Sequence, residues 1–132
     1  MTCKAILIVE DDLDIREALQ TFFEQEGYPV LLAGNGQEAL DLLETGSTVT
    51  PGLIFLDFMM PVMDGRTFLL ELERIHPKIF SHTPIFIMSA WGDIHKMTFK
   101  TTGLVKKPFD LRELSRIAAK HCFSVGQNQT TS

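Results

Sequence analysis

Cysteine, tryptophan, tyrosine and basic residues are all scarce in this chain of 132 residues. The two cysteines, Cys3 and Cys122, stand near opposite ends and lack metal-ligand spacing. They make no disulfide scaffold and are expected to be ordinary reduced thiols. Twelve Lys and Arg face seventeen Asp and Glu, a net charge of −5. That balance argues against direct nucleic-acid binding, which needs a basic face to displace counterions. The apolar runs, such as Ala5–Val9 and Phe58–Met63, fall far short of the roughly 20 residues that span a bilayer. The N-terminus leads straight into a strand-like run without a secretory leader. The expectation is therefore no membrane insertion and a cytoplasmic location.

What is present is an ordinary globular composition, 45% hydrophobic and 22% charged. The length suits one domain. Short apolar runs alternate with helical patterns. Ala5–Val9 is apolar at every position, as in a strand buried on both faces of a parallel sheet. A helix follows, with Asp14 and Glu17 at capping-box spacing and Ile15, Leu19, Phe22 and Phe23 in one stripe. Gly27 stops it. Val30–Ala33 is the second strand, Asn35-Gly36 a turn, and Ala39, Leu40, Leu42 and Leu43 mark the second helix. Leu53–Leu56 is the third strand, running into Asp57. Gly65 opens a helix with Phe68, Leu69, Leu72 and Ile75 inward, and Pro77 lies beyond it. Ile85–Met88 is the fourth strand, Asp93–Thr101 a short, poorly patterned helix, and Leu104-Val105 the fifth strand. The last helix runs from Asp110 to Cys122 with Leu111, Leu114, Ile117 and Ala118 inward. Residues 124–132 are polar and read as a disordered tail, leaving 1–123 as the domain.

Five βα units imply a doubly wound α/β domain with a five-stranded parallel sheet. In a flavodoxin-like order of 2-1-3-4-5, ligands bind beyond the carboxyl ends of the strands, where the order reverses. The residues at those ends are Glu10 and Asp11 after strand one, Asp57 after strand three, Ser89 after strand four and Lys107 after strand five. Asp11 and Asp57 would converge with Glu10 close by. Like charges about 4 Å apart repel by roughly 4 kcal/mol at an effective dielectric near 20. Such a cluster needs a cation or a raised pKa. An all-oxygen donor set suits Mg²⁺, for which Mn²⁺ can substitute. A hydroxyl and an ammonium opposite would bind a phosphate, so the set reads as a Mg²⁺-dependent phosphoryl-acceptor site with a carboxylate nucleophile. Asp12, with no ligand role, is read as a helix cap.

The stretches Ile6–Asp12 (ILIVEDD), Gly52–Gly65 (GLIFLDFMMPVMDG), Pro84–Ala90 (PIFIMSA) and Val105–Asp110 (VKKPFD) together make the chain resemble the response-regulator receiver domain of two-component signalling, the CheY-like fold. Ala33–Leu40 (AGNGQEAL) fits the same pattern, and the likeness covers residues 4 to about 122. The resemblance implies that Asp57 is the phosphorylated aspartate and that Asp11 and Glu10 bind Mg²⁺ together with Asp57 and the Met59 carbonyl. It implies that Ser89 contacts the phosphoryl oxygen, that Lys107 pairs with it, and that the Lys107–Pro108 bond is cis. A sensor histidine kinase or a phosphotransfer protein would be the donor, and a downstream protein target the reader. Met59 and Trp91 occupy variable positions beside the site, where bulk would limit water attack and lengthen the phosphoryl lifetime.

Two features depart from the pattern. Leu104 replaces the usual aromatic or His that rotates on activation. The stretch from Ser89 to Lys107 is short for the family, which shortens its fourth helix. Two alternatives stay open. One is a pseudo-receiver that acts only as an interaction module. The other, an aspartyl phosphohydrolase, is disfavoured because Met59 stands where such enzymes often carry a second Asp. Because a receiver consumes nearly the whole chain, the reading is a stand-alone regulator, not a turnover enzyme, without a DNA-binding output domain. Its signal would leave through a partner or by passing the phosphoryl group on.

Overall fold

The computed structural model describes residues 4–44, 50–90 and 101–122. Five strands form one sheet: β1 (Ile6–Val9), β2 (Val30–Ala33), β3 (Leu53–Asp57), β4 (Ile85–Ser89) and β5 (Gly103–Lys106). All pairings are parallel, and the order is β2-β1-β3-β4-β5. The doubly wound order expected from the sequence is therefore the observed one.

Five helices cover the sheet among the described residues. They are α1 (Leu13–Gln25), α2 (Gly36–Glu44), α3 (Gly65–Ile75), α4 (Pro77–His82) and α5 (Leu111–His121). Alternate strand residues feed two cores, as the two-residue period of a strand requires. Ile6, Ile8, Phe55 and Met88 pack with Leu19 and Phe23 of α1 and Leu114 and Ala118 of α5. Leu7, Val9, Leu56 and Ile87 pack with Leu40 of α2 and Phe68, Leu69 and Leu72 of α3. Stacked rings of Phe23 and Phe55, 5.5 Å apart, tie α1 to the sheet centre.

The elements differ from expectation in instructive places. Asp12 is the N-cap of α1, as expected, accepting from the Ile15 amide at 3.1 Å, whereas the capping-box spacing of Asp14 and Glu17 does not mark the helix start. Helix α4 was not foreseen; Pro77 sits at its first position, where its missing N–H costs nothing, so the proline starts a helix after ending one. Ile75 and Leu111, expected inward, are 36% and 49% exposed; each is a terminal residue of its helix. No cysteine is free among the described residues: Cys122 is disulfide-bonded, which corrects the expectation of a reduced thiol there. The packing behind it is close, with Cys122 Sγ 3.0 Å from the Lys4 carbonyl, two residues before the first strand. Cys3, the helix expected at 93–101 with its shortening, and the polar tail at 124–132 fall on or beyond segments outside the described residues.

Between β3 and α3 the chain makes a three-residue turn, with the Met63 amide donating to the Pro61 carbonyl at 2.7 Å. The central residue, Val62, takes φ 67° and is 82% exposed. A β-branched side chain is strained at positive φ and gains nothing there from burial. Val62→Gly is expected to raise stability by about 1 kcal/mol, after allowing for the greater freedom of glycine in the unfolded chain. A urea unfolding midpoint equal to or below that of the parent would refute it.

Candidate functional site

The strand ends deliver the site. Val9 pairs with Leu56 across β1 and β3, so the residues that follow, Glu10 and Asp57, emerge side by side. Their neighbour Asp11 turns outward into solvent, while Glu10 and Asp57 are 1% and 3% exposed. One carboxylate oxygen from each of the three lies within 4.8 Å of the others. On the other side, β5 runs along β4 until the Lys107 amide donates to the Ser89 carbonyl at 2.9 Å. This brings Lys107 Nζ to 3.1 Å from Glu10 Oε1 and 3.3 Å from Asp57 Oδ1. The Lys107–Pro108 bond is cis. Ser89 closes β4, buried, with its hydroxyl donating to the Ala90 carbonyl at 3.2 Å.

Burial dominates the electrostatics. It pushes the Asp57 carboxyl from 3.8 up to about 8, helped by the Glu10 charge and by hydrogen bonds shared with Glu10 and Asp11. Lys107 pulls the other way and only partly offsets the rise. Burial alone would lower the lysine, but the charges of Asp57 and Glu10 hold it above its ordinary value. One ammonium thus serves two buried acids. Glu10 Oε1 is within ion-pair distance of Lys107, yet it is buried without an aligned hydrogen bond. An all-oxygen cluster with an unsatisfied buried oxygen and surplus negative charge fits a hard divalent cation such as Mg²⁺.

Of the other residues singled out by sequence, Met59 places its amide 3.3 Å from Asp57 Oδ1 and leaves its side chain 61% exposed. Leu104 sits on the outer strand β5 opposite Ile87, 40% exposed and apart from the acidic cluster. Trp91 lies outside the described residues. Sequence reasoning missed Arg16, whose Nη1 donates to the Glu10 carbonyl at 2.8 Å. No side-chain pattern in the sequence signals it, because its partner is a main-chain carbonyl. It also missed Asp64, the N-cap of α3, which accepts from the Thr67 amide at 2.8 Å.

The family model for the response regulator receiver domain matches residues 6–119. The chain belongs to the response regulator receiver family. YkoG of Bacillus subtilis, an uncharacterized transcriptional regulatory protein, is 39% identical over 122 residues, covering 86% of this chain and 49% of that protein. The response regulator SaeR of Staphylococcus aureus is 35% identical over 113 residues, covering 83% and 46%. The chain thus spans about half the length of the curated relatives it matches. A solved CheY-like receiver domain protein from Methanospirillum hungatei superposes with a TM-score of 0.76 at 27% identity, covering 95% of this chain and 96% of that one. Receiver domains are signalling domains that bind Mg²⁺ through acidic residues and interact with histidine kinases or phosphotransfer proteins. Among the described residues of this receiver, no helix is long and apolar enough to cross a membrane.

Proposed function

We propose that this receiver accepts a phosphoryl group on Asp57 from the phosphohistidine of a sensor kinase or a phosphotransfer protein. The observation that carries the reading is the buried Asp57, set between two other carboxylates and one lysine at the end of β3. In the transfer, an Asp57 carboxylate oxygen bonds to phosphorus as the phosphorus–nitrogen bond of the donor breaks. The proton needed by the departing imidazole comes with the donor. Lys107 pairs with a phosphoryl oxygen and the Ser89 hydroxyl turns from the Ala90 carbonyl to donate to another. Glu10, Asp11, Asp57 and the Met59 carbonyl would hold Mg²⁺, or Mn²⁺ in its place. The bound cation supplies positive charge for the phosphoryl oxygens. Met59 stands two residues after Asp57 with an exposed side chain, whose bulk would slow water attack on the acyl phosphate and lengthen its lifetime.

The output reading follows from the same geometry. Movement of Ser89 would pull on β4 and bias the surface around β5, where Leu104 stands exposed. A downstream protein would read that surface, or the phosphoryl group would pass onward. A cytoplasmic location is part of this proposal.

Incubation with acetyl phosphate and Mg²⁺, followed by intact mass measurement, tests it. One phosphoryl adduct is expected, absent from Asp57→Asn and from samples with chelator. Multiple turnover of a phosphate ester would instead indicate a phosphohydrolase. No adduct from either acetyl phosphate or a phosphorylated histidine donor would indicate a pseudo-receiver.

A further inference from the structure

Arg16 stands in the first turns of α1, half-buried, and points back toward the strand ends. Its Nη1 donates to the Glu10 carbonyl at 2.8 Å. The Glu10 amide in turn donates to the Ala33 carbonyl of β2 at 3.0 Å. Glu10 is therefore gripped at both backbone polar atoms, by β2 on one side and by Arg16 on the other. The Glu10 carbonyl belongs to the peptide that leads into Asp11. Its orientation fixes how both acids leave the end of β1.

The surroundings of Arg16 are arranged around a glycine. The Gly34 amide donates to Glu38 Oε1 at 2.7 Å. A Cβ built on Gly34 would stand 2.9 Å from Arg16 Nη1 and 3.1 Å from Glu38 Oε1. A side chain at Gly34 would make the ends of both the Arg16 and Glu38 side chains shift from these positions. Its φ is not in the left-handed region, so the requirement is for space and not for backbone conformation.

Building on the Mg²⁺ site described above, we propose that Arg16 is a positioning residue for it. By holding the Glu10 carbonyl, Arg16 sets the peptide from which Glu10 and Asp11 present their carboxylates, and Gly34 keeps the space that this grip needs. Groups that orient metal ligands without touching the metal typically change affinity by 10–100-fold when removed. Charge and position make opposite predictions here. Removing a cation near an acidic cluster would by charge alone tighten Mg²⁺ binding. Loss of positioning would weaken it.

The experiment titrates the full chain with Mg²⁺ alone and follows the backbone amide resonances of Asp11 and Asp12. The chains compared are the parent, Arg16→Gln, Arg16→Lys and Gly34→Ala, with thermal midpoints as the check on folding. Arg16→Gln is expected to bind Mg²⁺ about 10-fold more weakly. Arg16→Lys, which keeps the charge and one donor, should recover part of the loss. Gly34→Ala should weaken binding although it alters no charge. A folded Arg16→Gln that binds as tightly as the parent, or more tightly, overturns the proposal. If Arg16→Gln fails to fold, Gly34→Ala decides in the same way. A parent chain without saturable Mg²⁺ binding would overturn the metal site itself, and this inference with it. A parent that binds alongside variants that bind equally would overturn this inference alone.

Discussion

Asp57→Asn is expected to make the metal-free chain more stable than its parent at pH 8, by about 2–4 kcal/mol. The carboxyl is 3% exposed, and its pKa is raised from 3.8 to about 8, first by burial and then by Glu10. Because the folded value lies above the unfolded one, the unfolded chain releases this proton first as pH rises. The contribution is harmless below pH 4, and stability is lost progressively between pH 4 and about pH 8. Each pKa unit corresponds to about 1.4 kcal/mol, and the loss of the Lys107 contact in the variant reduces the total. Asparagine keeps the shape and can still accept from the Met59 amide. The advantage of the variant should therefore vanish near pH 4, grow to pH 8, and shrink when Mg²⁺ is added, since a ligand of the folded state stabilises the parent. Urea unfolding in chelator from pH 4 to 8 measures this. A parent that gains stability relative to the variant over that range would refute the picture of a strained acid cluster.

Lys107→Met should have the larger effect on chemistry. Its ammonium is the cation shared by Glu10 Oε1 and Asp57 Oδ1 at 3.1 and 3.3 Å. In the proposed transfer the same group neutralises charge on the phosphoryl oxygens. Removal of one preorganised donor of this kind typically costs about 10²–10³-fold in rate. Phosphoryl uptake from acetyl phosphate at saturating Mg²⁺ should fall by that factor. Mg²⁺ affinity should hold or increase, because a competing cation has left the cluster. The two measurements separate a phosphate partner from a mere structural prop, which would lower both. Uptake at the parental rate in a folded Lys107→Met chain would remove the lysine from the mechanism.

The sheet was legible because buried parallel strands are apolar at nearly every position. Ile6–Val9 and Leu53–Leu56 are too short for helices and sit between turn signals, which favours buried strands. The acidic cluster was legible for the opposite reason: Asp57 closes a strand that is otherwise wholly apolar, a position that invites charge only for a purpose. Helix ends were harder. Asp12 and Asp14 both offer a carboxylate at the start of α1, and only the backbone of the turn selects Asp12. The periodicity that buries Leu72 and Leu114 also includes Ile75 and Leu111, but periodicity does not report where a helix ends, and both of these terminal residues are exposed. Arg16 was invisible because its partner is a main-chain carbonyl, which no side-chain pattern reports. Pairing at Cys122 was hidden by sequence distance, since the end of α5 returns to the beginning of β1 only in three dimensions.

The order β2-β1-β3-β4-β5 also has a bearing on synthesis. The three strands that carry the acids and their support, β1, β2 and β3, are complete by Asp57. The lysine that balances them arrives at residue 107, at the far edge of the sheet. A chain emerging from the ribosome therefore assembles its burden of negative charge well before its counterweight. The ion pair from Lys107 to Glu10 and Asp57 needs β5 in place, and a partly made molecule holds the two acids without it.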